Sequence, residues 1–304
     1  MIESKPKDNV GMDYILFNLG ESPTHLEHCM NTILSIDKKA KITICTDDDL
    51  TLTSIKVVNI KELPDLEQKR EEINKLFIST NYEKNPLWTA SMLRVFALKE
   101  ITNMLNIKKF VHFDNDVLIY NDFETIQNIY TFSEKKINIT ESDSNNLVFG
   151  YSYFPNYDSI DRLCNILDKI LKNYTYYSNN FARGGALNEM RMLRIAQIEN
   201  PDLFQALEIL PYGSSNILFD PSSYGQYLNG THTKKENYFF KKRFISTAHI
   251  VGKELKSKRI KIKFKKKRPI VYYNQKEYEL VNLHIHSKNL LSFLPSGYER
   301  HVKL

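Results

Sequence analysis

Two carboxylates, Asp114 and Asp116, stand on either side of Asn115 directly after the apolar residues 110–113. A second apolar run, residues 117–120, follows them, and no lysine or arginine lies within five residues downstream to neutralise the pair. Carboxylates this close repel each other unless a cation lies between them. Mg²⁺ and Mn²⁺ prefer carboxylate oxygen and bridge a protein to a diphosphate. The spacing therefore predicts a site for Mn²⁺ or Mg²⁺, with a solvated turn as the alternative.

Arg94 is a second candidate, because a guanidinium carried by a helix suits fixed contacts with phosphate or carboxylate. Its helical neighbours, among them Ala90, Ser91 and Leu98, offer no carboxylate, so a local ion pair is not available. We predict that Arg94 helps to bind the ligand, through a phosphate or carboxylate contact. A solvated arginine and a pairing with a distant residue are the alternatives.

A third candidate segment runs from Gly184-Gly185 to Glu189. Paired glycines let the backbone approach a ligand closely. Glu189, at the start of a predicted helix, could act as a general base toward a hydroxyl or as a polar contact to the ligand. A first-turn carboxylate that complements the helix dipole is the alternative interpretation.

The elements that must position these residues follow from the hydrophobic pattern. Strands are indicated at residues 13–19, 41–45, 55–60 and 109–113, and helices at residues 23–34, 64–84 and 88–105. Strands that alternate with helices favour a parallel-type sheet covered by helices. The acidic turn then lies at the carboxyl end of a buried strand, where open α/β sheets bind ligands.

The second half of the chain is less regular. We predict a strand at residues 147–154, helices at 160–171 and 187–197 with a loop at 178–185 before the second, and a hairpin of 270–273 and 278–286 about Asn274-Gln275. The 304 residues contain no repeat and no linker rich in proline, glycine or serine, which favours one α/β domain over residues 1–304.

The composition indicates the cellular compartment of the protein. No stretch reaches the roughly 18 apolar residues that span a bilayer, and residues 1–10 lack the apolar run of an export signal. Three scattered cysteines, Cys29, Cys45 and Cys164, suit a reducing cytoplasm and are predicted to be buried small hydrophobes. We therefore expect a soluble, cytoplasmic protein.

The net charge of +6 is concentrated between Lys253 and Arg268, where ten cations face the single Glu254. Such a run suits phosphate, nucleic acid or an anionic membrane surface. The alternation of Ile260, Ile262 and Phe264 with lysines is equally the period-two pattern of a half-exposed strand. Peripheral membrane contact through this segment is one interpretation, and a solvated strand is the other.

The order of these features resembles the GT-A fold glycosyltransferases, in which an Asp-x-Asp motif ends a strand in the middle of the chain. The resemblance spans most of the sequence, from the opening strand and helix through Arg94 and Asp114-Asn115-Asp116 to His284-Ile285-His286-Ser287-Lys288. It implies a Rossmann-like mixed sheet flanked by helices, with a nucleotide-binding half at about residues 12–122 and an acceptor-side half at 123–304.

The resemblance also implies roles for individual residues. In the family a late histidine often completes the metal site and a nearby lysine meets the diphosphate. Here the late motif is HIHSK, not H-x-G-x-x-K-P-W, so either His284 or His286 is the ligand, and His286 is favoured because it lies closer to Lys288. Asn18 and Asp47 fall at strand ends where the family holds the base and ribose.

The implied function is a metal-dependent glycosyltransferase of the hexosyltransferase class. It would move a sugar from a nucleotide-sugar donor, UDP-sugar being favoured, to a glycan or lipid-linked acceptor. A haloacid-dehalogenase-like phosphatase is the rival enzyme, because the Asp114 motif fits its nucleophile motif in part, but more than a hundred residues precede it here. A basic module that binds nucleic acid or membrane is the other rival, and no nucleic-acid partner is expected.

Overall fold

The structure is a computed structural model that describes residues 11–228 and 248–304. Residues 1–10, on which the prediction about an export signal depends, lie outside the described residues. Among the described residues, no helix is both long and apolar enough to span a bilayer.

The described residues form strands and helices of the following bounds. The strands are β1 (Asp13–Asn18), β2 (Lys41–Thr46), β3 (Lys56–Asn59), β4 (Phe110–His112), β5 (Val117–Ile119), β6 (Ile137–Asp143), β7 (Asn146–Phe154), β8 (Phe204–Ala206), β9 (Ile217–Leu218), β10 (Lys261–Lys265), β11 (Arg268–Tyr273), β12 (Lys276–Leu280) and β13 (Asn282–His284). The helices are α1 (Thr24–Ile36), α2 (Asp65–Phe77), α3 (Pro86–Met104), α4 (Phe123–Ile129), α5 (Tyr157–Lys172), α6 (Tyr174–Ala182), α7 (Glu189–Glu199), α8 (Ser223–Tyr227) and α9 (Ile250–Lys256).

The main sheet has seven strands in the order β3-β2-β1-β4-β7-β6-β8. β3, β2, β1 and β4 run parallel, β7 is antiparallel to β4 and β6, and β8 is parallel to β6. The prediction of a mixed sheet flanked by helices is confirmed. The parallel half places the carboxyl ends of β1, β2 and β4 at one edge of the sheet, which is the edge that the acidic turn occupies.

Both faces of β1 are buried, as its nearly continuous apolar run requires. Ile15 and Phe17 belong to a core cluster shared with α3, α5 and α7. Tyr14 and Leu16 belong to a second cluster on the other face, shared with α1. The sheet therefore lies between two helical layers. All three cysteines are buried and free, as predicted.

A small antiparallel ribbon links the end of the chain to its middle. β13 pairs with β5, with Leu283 opposite Leu118 and His284 opposite Val117. A separate four-stranded sheet, β10-β11-β12-β9, precedes β13 in the chain. β5 begins one residue after Asp116, so this pairing brings the late histidine motif to the acidic turn.

Three predictions about local structure need correction. The helix predicted at 64–84 ends at Phe77, because Ser79 adopts a left-handed backbone with φ 64° and the Thr80 hydroxyl caps the carbonyl of Phe77. The loop predicted at 178–185 is helical as far as Ala182, where the aromatic rings of Tyr177 and Phe181 stack one turn apart.

The predicted second strand of the late hairpin, 278–286, is in fact two strands. β12 pairs with β11 and β9, whereas β13 leaves for β5, and the backbone N–H of Val281 between them donates to the carbonyl of Leu218. The period-two interpretation of the lysine-rich segment is confirmed as β10, in which Ile262 is buried and the flanking lysines are exposed.

Candidate active site

A cavity of about 1050 Å³ opens at the carboxyl ends of β1, β2 and β4. Ten of the twelve residues that the sequence singled out as a site line this cavity. They are Asn18, Asp47, Arg94, Asp114, Asn115, Asp116, Glu189, His284, His286 and Lys288. The placement of the acidic motif at the ligand-binding edge of the sheet therefore agrees with the prediction.

The acidic turn is held by backbone bonds on both sides. The N–H of Asp114 donates to the carbonyl of Phe149 on β7 (2.9 Å), and the N–H of Ile285 donates to the carbonyl of Asp116 (2.8 Å). The side-chain amide of Asn115 donates to the carbonyl of Phe17 at 2.8 Å. Asn115 thus ties the turn to the end of β1, a positioning role that its sequence context did not indicate.

Asp114, Asp116 and His284 form a potential metal-ligand cluster. One ligand atom from each lies within 4.8 Å of the others. The Nε2 atom of His284 is 2.9 Å from Oδ1 of Asp116 and 3.6 Å from Oδ2 of Asp114. The ring of His286 lies beside that of His284, with centroids 4.5 Å apart. The geometry thus favours His284 as the ligand, whereas the sequence favoured His286.

Asp220 fixes the backbone that carries His284. This buried carboxylate accepts the N–H of His284 at 3.0 Å and those of Tyr224 and Gly225 at 2.9 Å each. A side chain at Gly225 would meet the carbonyl oxygen of His284 at 2.1 Å, so the close approach of α8 to β13 requires glycine. The sequence offered no signal for this role, because Asp220 precedes an ordinary turn-rich segment.

The ionisation of the cluster follows from its charges. Burial alone would raise the pKa of Asp116, but His284 and Lys288 hold that pKa well below its usual range. Burial would lower the pKa of His284, and the carboxylate of Asp116 raises it above its usual value instead. Burial would likewise raise the pKa of Asp114, but Arg94 and His284 hold it below its usual value. Both carboxylates are therefore anionic at neutral pH, the state that a cation requires.

Lys288 and His25 complete the charged end of the cavity. The Nζ atom of Lys288 contacts Oδ2 of Asp116, while the side chain remains about half exposed. Burial and the nearby charge of Lys288 lower the pKa of His25 to about 4, so this ring is neutral at pH 7. His25 was missed by the sequence analysis, although it lies at the start of the helix that follows β1 and so reaches the same edge of the sheet.

Arg94 is buried on α3 and bridges two carboxylates from other elements. One guanidinium nitrogen contacts Oδ1 of Asp114, and the other lies 2.9 Å from Oε1 of Glu189. The alternative of a solvated arginine is wrong, and the alternative of pairing with distant residues is confirmed. Local sequence could not reveal the pairing, because the partners are 20 and 95 residues away.

Glu189 is the first residue of α7, whose N-terminus is capped by the side chain of Asn188. Burial raises the pKa of Glu189 to about 7, a rise that Arg94 partly offsets and the charge of Asp114 reinforces. The helix-dipole interpretation therefore accounts for its place in the chain but not for its burial beside Arg94. A carboxyl that titrates near neutral pH suits proton transfer.

Asn18 ends β1 and Asp47 directly follows β2, and the side-chain oxygen of Asn18 accepts from the amide of Asn115 at 3.3 Å. A carboxylate oxygen of Asp47 accepts the N–H of Gly20 at 2.6 Å, and the amide of Asn18 donates to the carbonyl of Gly20 at 3.1 Å. Together they fix the loop after β1. Both residues line the cavity.

Gly184 and Gly185 do not line the cavity. Gly184 has φ +79°, and its N–H donates to the carbonyl of Ser178. The N–H of Gly185 donates to the carbonyl of Ala182. The two glycines therefore terminate α6 rather than approach a ligand in this structure, which is the ordinary use of glycine after a helix.

No protein-family model matches the chain, and no curated protein is detectably similar to it in sequence. Mouse xyloside xylosyltransferase 1 in its apo form is similar in structure, with 12% identity over 65% of this chain and 86% of that one and a TM-score of 0.46. The galactosyltransferase LgtC, solved with donor and acceptor sugar analogues, has 10% identity over 65% of this chain and 73% of its own, with a TM-score of 0.42.

A third similar structure is the Mn/GDP form of core-mannan synthase A from Aspergillus fumigatus, with 11% identity over 67% of this chain and 74% of that one and a TM-score of 0.40. By name, the first two of these proteins are a xylosyltransferase and a galactosyltransferase, and the third is a mannan synthase. At TM-scores below 0.5 these likenesses do not assign a function, which must rest on the residues of the site.

Proposed function

We propose that the protein is a metal-dependent glycosyltransferase that uses a nucleotide-sugar donor, with a UDP-sugar favoured. The observation that carries the proposal is the cluster of Asp114, Asp116 and His284 inside the cavity at the carboxyl ends of the parallel strands. Asp114 and Asp116 follow the carboxyl end of β4, where open α/β sheets bind ligands, and His284 lies on β13, which pairs with β5.

The residues fit a divalent ion. Two carboxylates that share a buried turn with one imidazole are a donor set for Mn²⁺ and, with fewer protein ligands, for Mg²⁺. Among the described residues, Nδ1 of His284 has no hydrogen-bond partner, so the ring is placed by its backbone and by its contact with the carboxylates. When bound there, such an ion neutralises the charge that develops on a departing diphosphate.

Other residues of the cavity supply the remaining chemistry. Lys288 has a half-exposed ammonium that can turn from Asp116 to a diphosphate oxygen. Arg94 keeps Asp114 and Glu189 in fixed positions. Glu189 accepts the proton of the acceptor hydroxyl while the oxygen of that hydroxyl bonds to the anomeric carbon of the donor sugar. The bond between the anomeric carbon and the diphosphate breaks, and the diphosphate leaves with its electron pair.

The proposed donor orientation rests on the chemistry of the residues that line the cavity. Asn18 and Asp47 offer amide and carboxylate groups to a base and ribose, while the metal cluster and Lys288 face the diphosphate. The sugar then lies toward Glu189 and Arg94. Hydrogen-bond donors and acceptors of these types are what nucleoside recognition requires.

The first prediction tests the donor class by thermal unfolding. UDP-, GDP- and CMP-sugars are added with and without Mn²⁺, and a UDP-sugar is expected to raise the unfolding temperature only when the ion is present. At 100 times the dissociation constant, a ligand adds about 2.7 kcal/mol to the unfolding free energy. The absence of any Mn²⁺-dependent shift with all three nucleotides would reject the proposed function.

The rival enzyme class is disfavoured by topology. Three strands, β1 to β3, precede the strand that delivers Asp114, whereas the phosphatase motif opens its fold. Asp114 also contacts Arg94, which would hold a nucleophilic carboxylate away from a phosphate. The described geometry gives the phosphatase alternative no further support.

The acceptor is proposed to be a glycan or a lipid-linked sugar. The exposed lysines of β10 form a cationic row that suits an anionic bilayer, to which each cation near the surface adds about 1 kcal/mol of attraction. The same row also protects an edge strand from pairing with another chain. Peripheral membrane contact is therefore a proposal that vesicle binding must decide.

The second prediction separates this row from the donor site. Replacing the four lysines Lys261, Lys263, Lys265 and Lys266 with glutamine is expected to abolish binding to phosphatidylserine vesicles and to leave donor hydrolysis by water unchanged, since none of them lines the cavity. The control removes four exposed lysines elsewhere: Lys108, Lys109, Lys135 and Lys172. A loss of donor hydrolysis in the folded β10 variant alone would place the row in the donor site.

A further inference from the structure

One face of α3 runs along the cavity from its mouth to Arg94. Leu87, Ala90, Ser91 and Arg94 follow the i, i+3, i+4, i+7 spacing of a single helical face, and all four line the cavity. Leu87 and Arg94 are about 10 Å apart along the helix axis at a rise of about 1.5 Å per residue. That length accommodates a sugar ring between the mouth and the charged centre.

Small side chains leave space beside this face of α3. Ala90 has only a methyl group, and the hydroxyl of Ser91 donates to the carbonyl of Leu87 at 2.7 Å, so it lies back against the helix. Leu87, at the outer end, is 58% exposed. Two small residues between a leucine and a buried arginine therefore leave a groove on α3.

An aromatic ring is fixed at the mouth of the groove. The ring of Trp88, the one tryptophan of the chain, packs on Tyr82 with centroids 4.4 Å apart, and Tyr82 packs edge-on against Phe77 at 5.4 Å. Trp88 is partly buried and lines the cavity. Trp88 is thus held by Tyr82 and the adjoining core at a position that borders the cavity.

Polar residues beside α3 also line the cavity: Arg70 and Asn74 of α2, and Glu83 of the connection between α2 and α3. Arg70 pairs with Glu67 at 3.3 Å, Asn74 accepts from the hydroxyl of Thr89 at 2.7 Å, and Glu83 accepts the N–H of Ser79 at 2.9 Å. An apolar ring face combined with charged and amide groups matches a pyranose, which has apolar C–H faces and a rim of hydroxyls. Because a diphosphate would gain nothing from Glu83 or from an indole face, the groove differs in chemistry from the metal end of the cavity.

We propose that the groove between α2 and α3 binds the acceptor sugar, with a pyranose ring against Trp88 and a hydroxyl directed toward Glu189. This inference rests on the proposed function, in that the acceptor is a glycan. It adds the residues that select the acceptor: Trp88 and Leu87 for the ring faces, Arg70, Asn74 and Glu83 for the hydroxyls.

The third prediction uses Trp88 as its own reporter. Lactose, cellobiose, maltose and chitobiose are titrated against the protein without donor or metal, and at least one is expected to change the tryptophan fluorescence with saturation. Ala90→Leu, which keeps a good helix former but fills the groove, is expected to abolish that response. The groove assignment would be overturned if none of the four sugars changed the tryptophan fluorescence, or if Ala90→Leu gave the same fluorescence change as the unaltered protein.

A kinetic comparison of two variants distinguishes the acceptor groove from the donor site. Trp88→Ala is expected to raise the KM for the responding sugar about tenfold, the value of one good aromatic contact. Tyr176→Ala, which removes an exposed aromatic ring that does not line the cavity, is the control and should leave this KM unchanged. An unchanged KM in Trp88→Ala, or an equal rise in Tyr176→Ala, contradicts the groove. Because the fluorescence titration needs no nucleotide, its failure is distinct from failure of the proposed donor chemistry.

Discussion

Asp116→Asn is expected to abolish Mn²⁺-dependent binding of the nucleotide sugar while the protein stays folded. The carboxylate is buried against His284 and Lys288, and its lowered pKa keeps it anionic throughout the physiological range. An amide of the same shape keeps the backbone bond between the N–H of Ile285 and the carbonyl at position 116, but it provides a much weaker ligand. Calorimetric titration with Mn²⁺ and UDP should record a loss of more than about 100-fold in affinity.

The matched control is Asp49→Asn, which makes the same chemical change in the other Asp-x-Asp pair of the chain. Asp49 is exposed and does not line the cavity, so its variant should bind donor normally. Asp114→Asn should also weaken binding, because the cluster acts as a unit. Full donor binding by Asp116→Asn would sink the metal-site proposal, whatever the fold of the variant.

The sequence predicted the elements that local pattern controls. β1, β2 and β4 are short apolar runs that end in polar residues, so the carboxyl ends that carry Asn18, Asp47 and Asp114 could be located without a structure. The alternation of lysines with apolar residues likewise identified β10. In each case the signal lies within a few residues of the feature that it predicts.

The features that the sequence did not predict depend on contacts between distant segments. The pairing of β13 with β5 selects His284 over His286, and neither the register nor the strand break at Val281 is visible in composition. Asp220 supports His284 across 64 residues. The sequence also did not indicate that Gly184 and Gly185 hydrogen bond back to the end of α6 and lie outside the cavity lining.

Arg94→Met is expected to destabilise the protein severely, for a reason that applies with or without donor. The Arg94 side chain is 11% exposed and is the shared partner of Asp114 and Glu189. Removing it leaves the buried Glu189 and the partly buried Asp114 without that charge, and breaking a buried pair such as Arg94 and Glu189 costs about 3–5 kcal/mol. Urea unfolding should report the loss. The control Arg162→Met removes an exposed pair with Asp202 and should cost less than about 1 kcal/mol.

The loss of unfolding free energy in Arg94→Met should depend on pH, because Glu189 titrates near neutral pH. Its pKa in the folded protein is about 7, above the ordinary 4.5, so the stability that this group contributes is complete below pH 4.5 and declines as the pH rises through 7. Because Arg94 lowers this pKa, Arg94→Met should raise it further and make the unfolding free energy fall more steeply between about pH 5 and 8. The double variant Arg94→Met/Glu189→Gln has no titrating group at position 189, so it should recover part of the stability at pH 8 and little at pH 5. Equal recovery at both pH values would show that Arg94 stabilises the fold through packing, and that the charge of Glu189 contributes nothing to the effect.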